Sequence, residues 1–203
     1  MRLRLPAESH TGLHRLLITF FKPEFACSRR PRYLPCMGLF DKKFTIVVAC
    51  KANITRSAYL DGYMRQYLKE NYPYACKKIK ILSAGVRARR GSSANSVVKH
   101  VARINGFSLG AHGSDPFTPG LVKKADAILV MEQWQKDELT KRFPKAGHKI
   151  FRMMEYLWSG EPEDIRDIPD PTGQNTADFE EFIEAAHAEV ERIFRELGRE
   201  GVI

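Results

Sequence analysis

No apolar run in this chain comes close to the roughly 20 residues that cross a bilayer. The longest strings, such as Ile46 to Ala49 and Ile128 to Met131, have the length of a strand. A membrane-spanning protein is therefore not expected. Cysteine is scarce: Cys27, Cys36, Cys50 and Cys76 show no CxxC pairing, which argues against a zinc site or a disulfide scaffold. A reducing compartment, the cytoplasm, suits such a chain and leaves a cysteine free to act as a nucleophile. There is no internal repeat, and no DNA- or RNA-binding motif accompanies the net charge of +9. Residues 1–36 hold seven basic and two acidic residues, whereas the remainder holds 26 and 22. The excess is thus concentrated in one segment, and no nucleic-acid partner is expected.

With 203 residues, 43% of them hydrophobic, the chain suffices for one packed domain and a tail. Residues 1–36 mix Arg, Pro and short apolar pieces. Their only hydrophobic run, Leu16 to Phe21, follows His14 and Arg15 and is too short for a secretory signal. This segment reads as a disordered extension. Met37 stands just ahead of the first strand and is expected to be the true start instead of Met1, with 37–203 as the domain.

From Phe44 onward strands alternate with helices, the pattern of an α/β protein with a parallel sheet covered on both faces. Strands are predicted at Phe44 to Ala49, Ile79 to Ser83, Ala127 to Met131 and Lys149 to Met153. Apolar residues at Leu60, Met64, Tyr67 and Leu68 mark a helix after the first strand. Val97, Val98, Val101 and Ala102 mark another, stopping at Gly106. Trp134 to Phe143 suits a third, closed by Pro144, and Asp167 to Gly173 reads as a loop broken by Pro and Gly. The last helix carries Phe179, Phe182, Ile183, Ala186, Val190, Ile193, Phe194 and Leu197 on one stripe, capped by Asn175 or Thr176.

The segment Cys50-Lys51-Ala52-Asn53-Ile54-Thr55-Arg56-Ser57 joins the first strand to its helix. A Cys with an Arg six positions later is not specific by itself. Its position is more telling, because ligands of parallel sheets bind at the carboxyl edge of the strands. A tight loop there points backbone N–H groups inward while the positive end of the helix dipole faces the same spot, so Lys51 to Ser57 would cradle a tetrahedral dianion. That field also favours a thiolate on Cys50. Arg56 offers the planar fork that holds two phosphoryl oxygens, and Ser57 can donate to the sulfur. The competing reading is a structural Cys beside a helix-capping Arg and Ser.

The motifs Val48-Ala49-Cys50 to Arg56-Ser57, Leu82-Ser83-Ala84-Gly85, Ala125-Asp126-Ala127-Ile128-Leu129-Val130-Met131 and Asp170-Pro171, in that order, resemble the low-molecular-weight protein-tyrosine phosphatase family from about Phe44 to Leu197. The resemblance implies a single-domain three-layer αβα sandwich around a four-stranded parallel sheet. It also implies hydrolysis of phosphate monoesters through a phosphocysteine intermediate, with no cofactor and no metal. Cys50 would be the nucleophile, Arg56 the phosphate clamp and Asp170 the general acid and base, with Asp167 as the competing carboxylate. Asn53, Ser57, Ser83 and His112 match positions that fix the phosphate loop. Asn53 has its own reason to be there, since Asn tolerates a left-handed backbone. Asp126 is expected to support the sheet edge or the loop arginine.

Several positions depart from the family pattern. Ala52 stands where Gly is usual, and Thr55 replaces a second loop cysteine that can protect the nucleophile as a disulfide. Thr172 and Gly173 follow Pro171 where aromatic residues commonly sandwich a phosphotyrosine ring. Lys51, Arg87, Arg89 and Arg90 could charge the pocket rim. The expected substrate is a phosphotyrosine-containing protein, because Ile54 occupies the position where phosphoarginine phosphatases of the family carry Thr. The alternatives are a non-catalytic phosphate-binding regulatory module, a phosphoarginine phosphatase, and an arsenate reductase, which would need more resolving cysteines.

Overall fold

The computed structural model describes residues 43–173 and 176–203, the side chain of Thr176 excepted. The expectations for residues 1–36, for Met37 as the start, and for Asn175 or Thr176 as a helix cap lie outside the described residues.

Four parallel strands form one sheet: β1 Phe44–Cys50, β2 Ile79–Gly85, β3 Ala127–Val130 and β4 Ile150–Arg152, in the spatial order β2-β1-β3-β4. Every residue of β1 is buried, as a central strand covered on both faces requires. The alternation of a strand divides its side chains between two cores. Ile46, Val48 and Cys50 face one side with Leu129 of β3, and Val47 and Ala49 face the other with Ile128 and Val130.

On the first side lie α1 Arg56–Asn71, α2 Ser96–Ile104 and α5 Thr176–Arg199. They contribute Leu60, Met64 and Leu68, then Val98 and Ala102, then Phe182, Ala186, Val190, Ile193, Phe194 and Leu197. On the second lie α3 Pro119–Lys124 and α4 Gln133–Arg142, bringing Val122 and Leu139. The result is a three-layer αβα sandwich around four parallel strands. Val97 differs from expectation: it is 46% exposed, whereas Val98 and Ala102 are buried and Val101 packs half-buried against the same core. The six-residue α3 is too short to show a period, although Thr118 caps it through a bond from Leu121 N and Pro119 opens it.

The strand order creates the crevice that the site occupies. The chain leaves β1 for β2 on one side and returns to β3 on the other, so connections diverge at the carboxyl ends of β1 and β3. Cys50 ends β1, and Glu132 follows β3 by two residues.

Phe194 is fully buried, with its ring centroid 5.7 Å from that of Tyr67 and 6.1 Å from that of Tyr72. Phe194→Ala is expected to cost about 3–5 kcal/mol in urea unfolding. An unchanged midpoint would contradict the packing of α5 against α1.

Candidate active site

The loop after β1 is held from outside by its carbonyls. Val86 N donates to Cys50 O, Arg87 N to Lys51 O and Asn95 N to Ile54 O. Its own amides are left over: among the described residues, no backbone N–H from Lys51 to Ser57 donates to a backbone carbonyl. These donors and the N-terminus of the 16-residue α1 share one end of the sheet.

Asn53 fixes the turn. Its φ is 56°, the left-handed conformation, and it is wholly buried. Its Oδ1 accepts from Asp115 N at 2.9 Å and its Nδ2 donates to Ser57 Oγ at 2.9 Å. His112 Nε2 lies 2.7 Å from Asn53 O and must be the protonated ring nitrogen, since a carbonyl only accepts. Ala52, in place of the usual Gly, is unstrained, for among the described non-glycine residues only Asn53 and Leu157 have positive φ. Having accepted from Asn53, the Ser57 hydroxyl can direct its proton to Cys50 Sγ at 3.0 Å or to Ala84 O at 3.5 Å. The sulfur is nearer.

Arg56 is 1% exposed and ties three segments together. Its Nη1 donates to Glu132 Oε1 at 2.5 Å and to Ile168 O at 2.7 Å, and its Nη2 donates to Asp170 Oδ2 at 2.9 Å. Its Nε is buried and has no partner among the described residues. Nε is thus spare, and Nη2 has two hydrogens for the one Asp170 oxygen, so the guanidinium keeps donors for the oxygens of an anion.

Glu132 is a site residue that the sequence reading missed. Besides Arg56 it accepts from Trp134 Nε1 at 2.8 Å and from Gln135 Nε2 at 2.9 Å. The signal was available: an acidic residue just past a strand that neighbours the Cys50 strand must lie at the same sheet edge. Asp126 does not reach the arginine. It accepts from Thr45 N at the amino end of β1, which makes it a support of the sheet edge. Among the described residues no hydrogen bond joins Ser83 to the loop after β1; its hydroxyl is near enough to Asp61 on α1 to favour that carboxylate slightly. Burial is the largest influence on the Asp61 carboxyl and raises its pKa, against the partial relief given by Arg65.

The two candidate carboxylates separate clearly. Asp167 accepts from Gln133 N and from Arg152, away from the loop. Asp170 faces Arg56 and also accepts from Thr172 N at 3.1 Å. Its loop is pinned by Ile168 N on Met131 O and by Thr172 Oγ1, which donates to Thr55 Oγ1 at 3.1 Å. A cavity of about 450 Å³ beside the loop is lined by Lys51, Arg56, Arg87, Glu132, Trp134 and Asp170. Arg89 and Arg90 are exposed outside it, Arg90 pairing with Asp115 at 3.0 Å. Ile54 is half-buried and does not line it.

The family model for low molecular weight phosphotyrosine protein phosphatases matches residues 45–202. The low molecular weight protein-tyrosine-phosphatase Ptp of Acinetobacter johnsonii is 34% identical over 137 residues, covering 67% of this chain and 85% of the relative. A protein-arginine-phosphatase of Geobacillus stearothermophilus is 32% identical over 124 residues, 61% of this chain and 78% of the relative. Among solved structures, the tyrosine phosphatase Wzb from Escherichia coli K30 superimposes with a TM-score of 0.65 at 28% identity, covering 78% of this chain and 99% of that one. Sheet, loop and likeness together define a cysteine-based protein phosphatase, a phosphoric monoester hydrolase. The chain belongs to the low molecular weight phosphotyrosine protein phosphatase family.

Gly85 explains one of the motifs. A Cβ there would lie 2.8 Å from Ala52 C and 2.9 Å from Asn53 N, inside the backbone of the loop. Gly85→Ala is expected to lower kcat/KM for an aryl phosphate by about 100-fold or more through misplacement of the loop, with the circular-dichroism spectrum kept. Wild-type turnover in that variant would contradict the contact.

Proposed function

We propose that this chain hydrolyses phosphotyrosine in protein substrates through a phosphocysteine on Cys50, and that the domain read as 37–203 is the unit that does so. The observation that carries this reading is the buried Arg56: its spare Nε and Nη2 donors share an end of the sheet with the unpaired loop amides and with Cys50 Sγ. A dianionic phosphoryl group matches that set of donors.

The chemistry then runs in two displacements. Cys50 sulfur attacks phosphorus, the S–P bond forms as the ester P–O bond breaks, and Asp170 gives its proton to the departing phenolic oxygen. Water next attacks the phosphocysteine, Asp170 takes a proton from it, and the sulfur leaves as a thiolate that Ser57 Oγ, 3.0 Å away, stabilises. Arg56 and the loop amides hold the equatorial oxygens as charge spreads over them, so metal is not called for. Lys51 is exposed at the cavity mouth and adds positive charge there. Tyrosine is favoured over arginine by the tyrosine-phosphatase relatives, the Acinetobacter enzyme among them, and not by Ile54, which lies outside the cavity lining. A reducing setting such as the cytoplasm keeps the Cys50 thiol free.

Hydrolysis of para-nitrophenyl phosphate and of matched phosphotyrosine and phosphoarginine proteins tests this. Cys50→Ser is expected to abolish turnover, and Asp170→Ala to lower kcat by about 10²–10⁴-fold. Binding without turnover in the wild type would instead mark a regulatory module, and faster release from phosphoarginine would overturn the tyrosine assignment.

Oxidation gives a second test. Cys50 and Cys76 are the free thiols among the described residues. β1 and β2 run in parallel from Phe44 opposite Ile79 to Cys50 opposite Gly85, and Cys76 precedes Ile79. The two sulfurs therefore sit at opposite sheet edges, roughly 20 Å of strand apart. Excess peroxide is expected to cause inactivation that dithiothreitol reverses poorly, and Thr55→Cys to raise the recoverable fraction. Full recovery of the wild type would contradict this.

A further inference from the structure

The loop bearing Asp170 continues into Thr172 and Gly173, and the Thr172 hydroxyl is engaged by Thr55. That loop offers no ring to a substrate. The cavity has one aromatic residue in its lining all the same: Trp134, in the first turn of α4, on the β3 side of the crevice. We propose that Trp134, with the Arg87 guanidinium laid across it, is the wall that receives the aryl group of the substrate and so sets the preference for aromatic phosphate esters. This rests on the reading of Cys50 and Arg56 as the phosphate site.

The indole is held from two directions. Its Nε1 donates to Glu132 Oε2 at 2.8 Å, and the Arg87 guanidinium lies 5.1 Å from its centroid, a cation–π arrangement. Arg87 is fixed in turn by Glu138, which accepts from its Nε at 2.9 Å and its Nη2 at 2.5 Å. Glu138 also accepts from Arg142, whose Nη2 donates to Val86 O next to Arg87. The wall is thus oriented before substrate arrives, which reduces the ordering cost of stacking a ring against it. It also lies where it is needed. Trp134 and Arg56 share Glu132 and line one cavity with Asp170, so an ester held at Arg56 with its leaving oxygen toward Asp170 has the indole in the same cavity.

Glu132 also makes the alternative explicit. Trp134 could act only by holding Glu132 and, through it, Arg56. Trp134→Phe keeps the ring and loses the Nε1 bond, whereas Trp134→Ala loses both.

Binding of inorganic phosphate and of benzylphosphonate is measured by calorimetry in a Cys50→Ser background, with KM and kcat for phosphotyrosine from the parent enzymes. Inorganic phosphate reads the loop alone and benzylphosphonate reads the loop and the wall. Trp134→Ala is expected to weaken benzylphosphonate binding and raise KM by about tenfold while inorganic phosphate binds as before, and Trp134→Phe to restore both within about twofold. Equal weakening of the two ligands in Trp134→Ala, or weakening in Trp134→Phe to the same extent, would overturn the wall and leave Trp134 as a support of Glu132. No effect on either ligand would overturn it too. Failure of inorganic phosphate to bind the Cys50→Ser protein with Trp134 intact would instead refute the phosphate site itself.

Discussion

The site is organised around one buried cation. Arg56 is almost completely removed from water, and a guanidinium in that position is tolerable only if its charge is answered nearby. Glu132, just past β3, supplies one carboxylate, and the loop of Ile168 and Asp170 supplies a carbonyl and a second carboxylate. The same three bonds that neutralise the arginine therefore fix the end of β3, the Asp170 loop and the start of α1 with respect to one another. The geometry of the site and its local stability rest here on the same set of contacts.

Glu132 is held as firmly as the cation it answers. Gln135, fully buried, donates with Nε2 to the same Oε1 that accepts from Arg56, while Gln135 Oε1 accepts from Met131 N. With that oxygen held by a buried amide anchored to the end of β3, Glu132 keeps its place against Arg56. The phosphate loop is stiffened by a comparable chain from Asp115 through Asn53 to Ser57 and Cys50.

Much of this was legible in the sequence, for reasons that differ between residues. The strands and the long helices were readable because burial on one or both faces imposes a period, as in Leu60, Met64 and Leu68. Cys50, Arg56 and Asn53 were readable because a strand-to-helix turn at the carboxyl edge narrows what they can do, and the left-handed φ of Asn53 follows from its side chain. Asp170 was separated from Asp167 by family resemblance, and the structure gives the physical distinction in their different partners. Glu132 and Trp134 were not read as site residues because their importance lies in contacts with Arg56 and Arg87, 76 and 47 positions away in the chain. The short α3 and the outward turn of Val97 escaped because local pattern does not decide them. Ala52 raised a question of backbone strain that its negative φ answers.

Specificity in this fold is a matter of what surrounds a common phosphate cradle. Relatives named for tyrosine and for arginine both align with this chain, so the cradle does not choose between them. What surrounds the cradle in this chain is a loop whose Thr172 is tied to Thr55 and a cavity mouth formed by Lys51, Arg87 and Trp134.

The central claim is that phosphorus is transferred to Cys50 before it reaches water. Acid quenching of the wild-type enzyme during turnover of a phosphotyrosine peptide, followed by digestion and mass spectrometry, tests it directly. The account predicts one phosphoryl group on the peptide containing Cys50. Steady turnover with that peptide unmodified, and inversion of configuration at a chiral phosphorus, would mean that water attacks the ester directly and would contradict it.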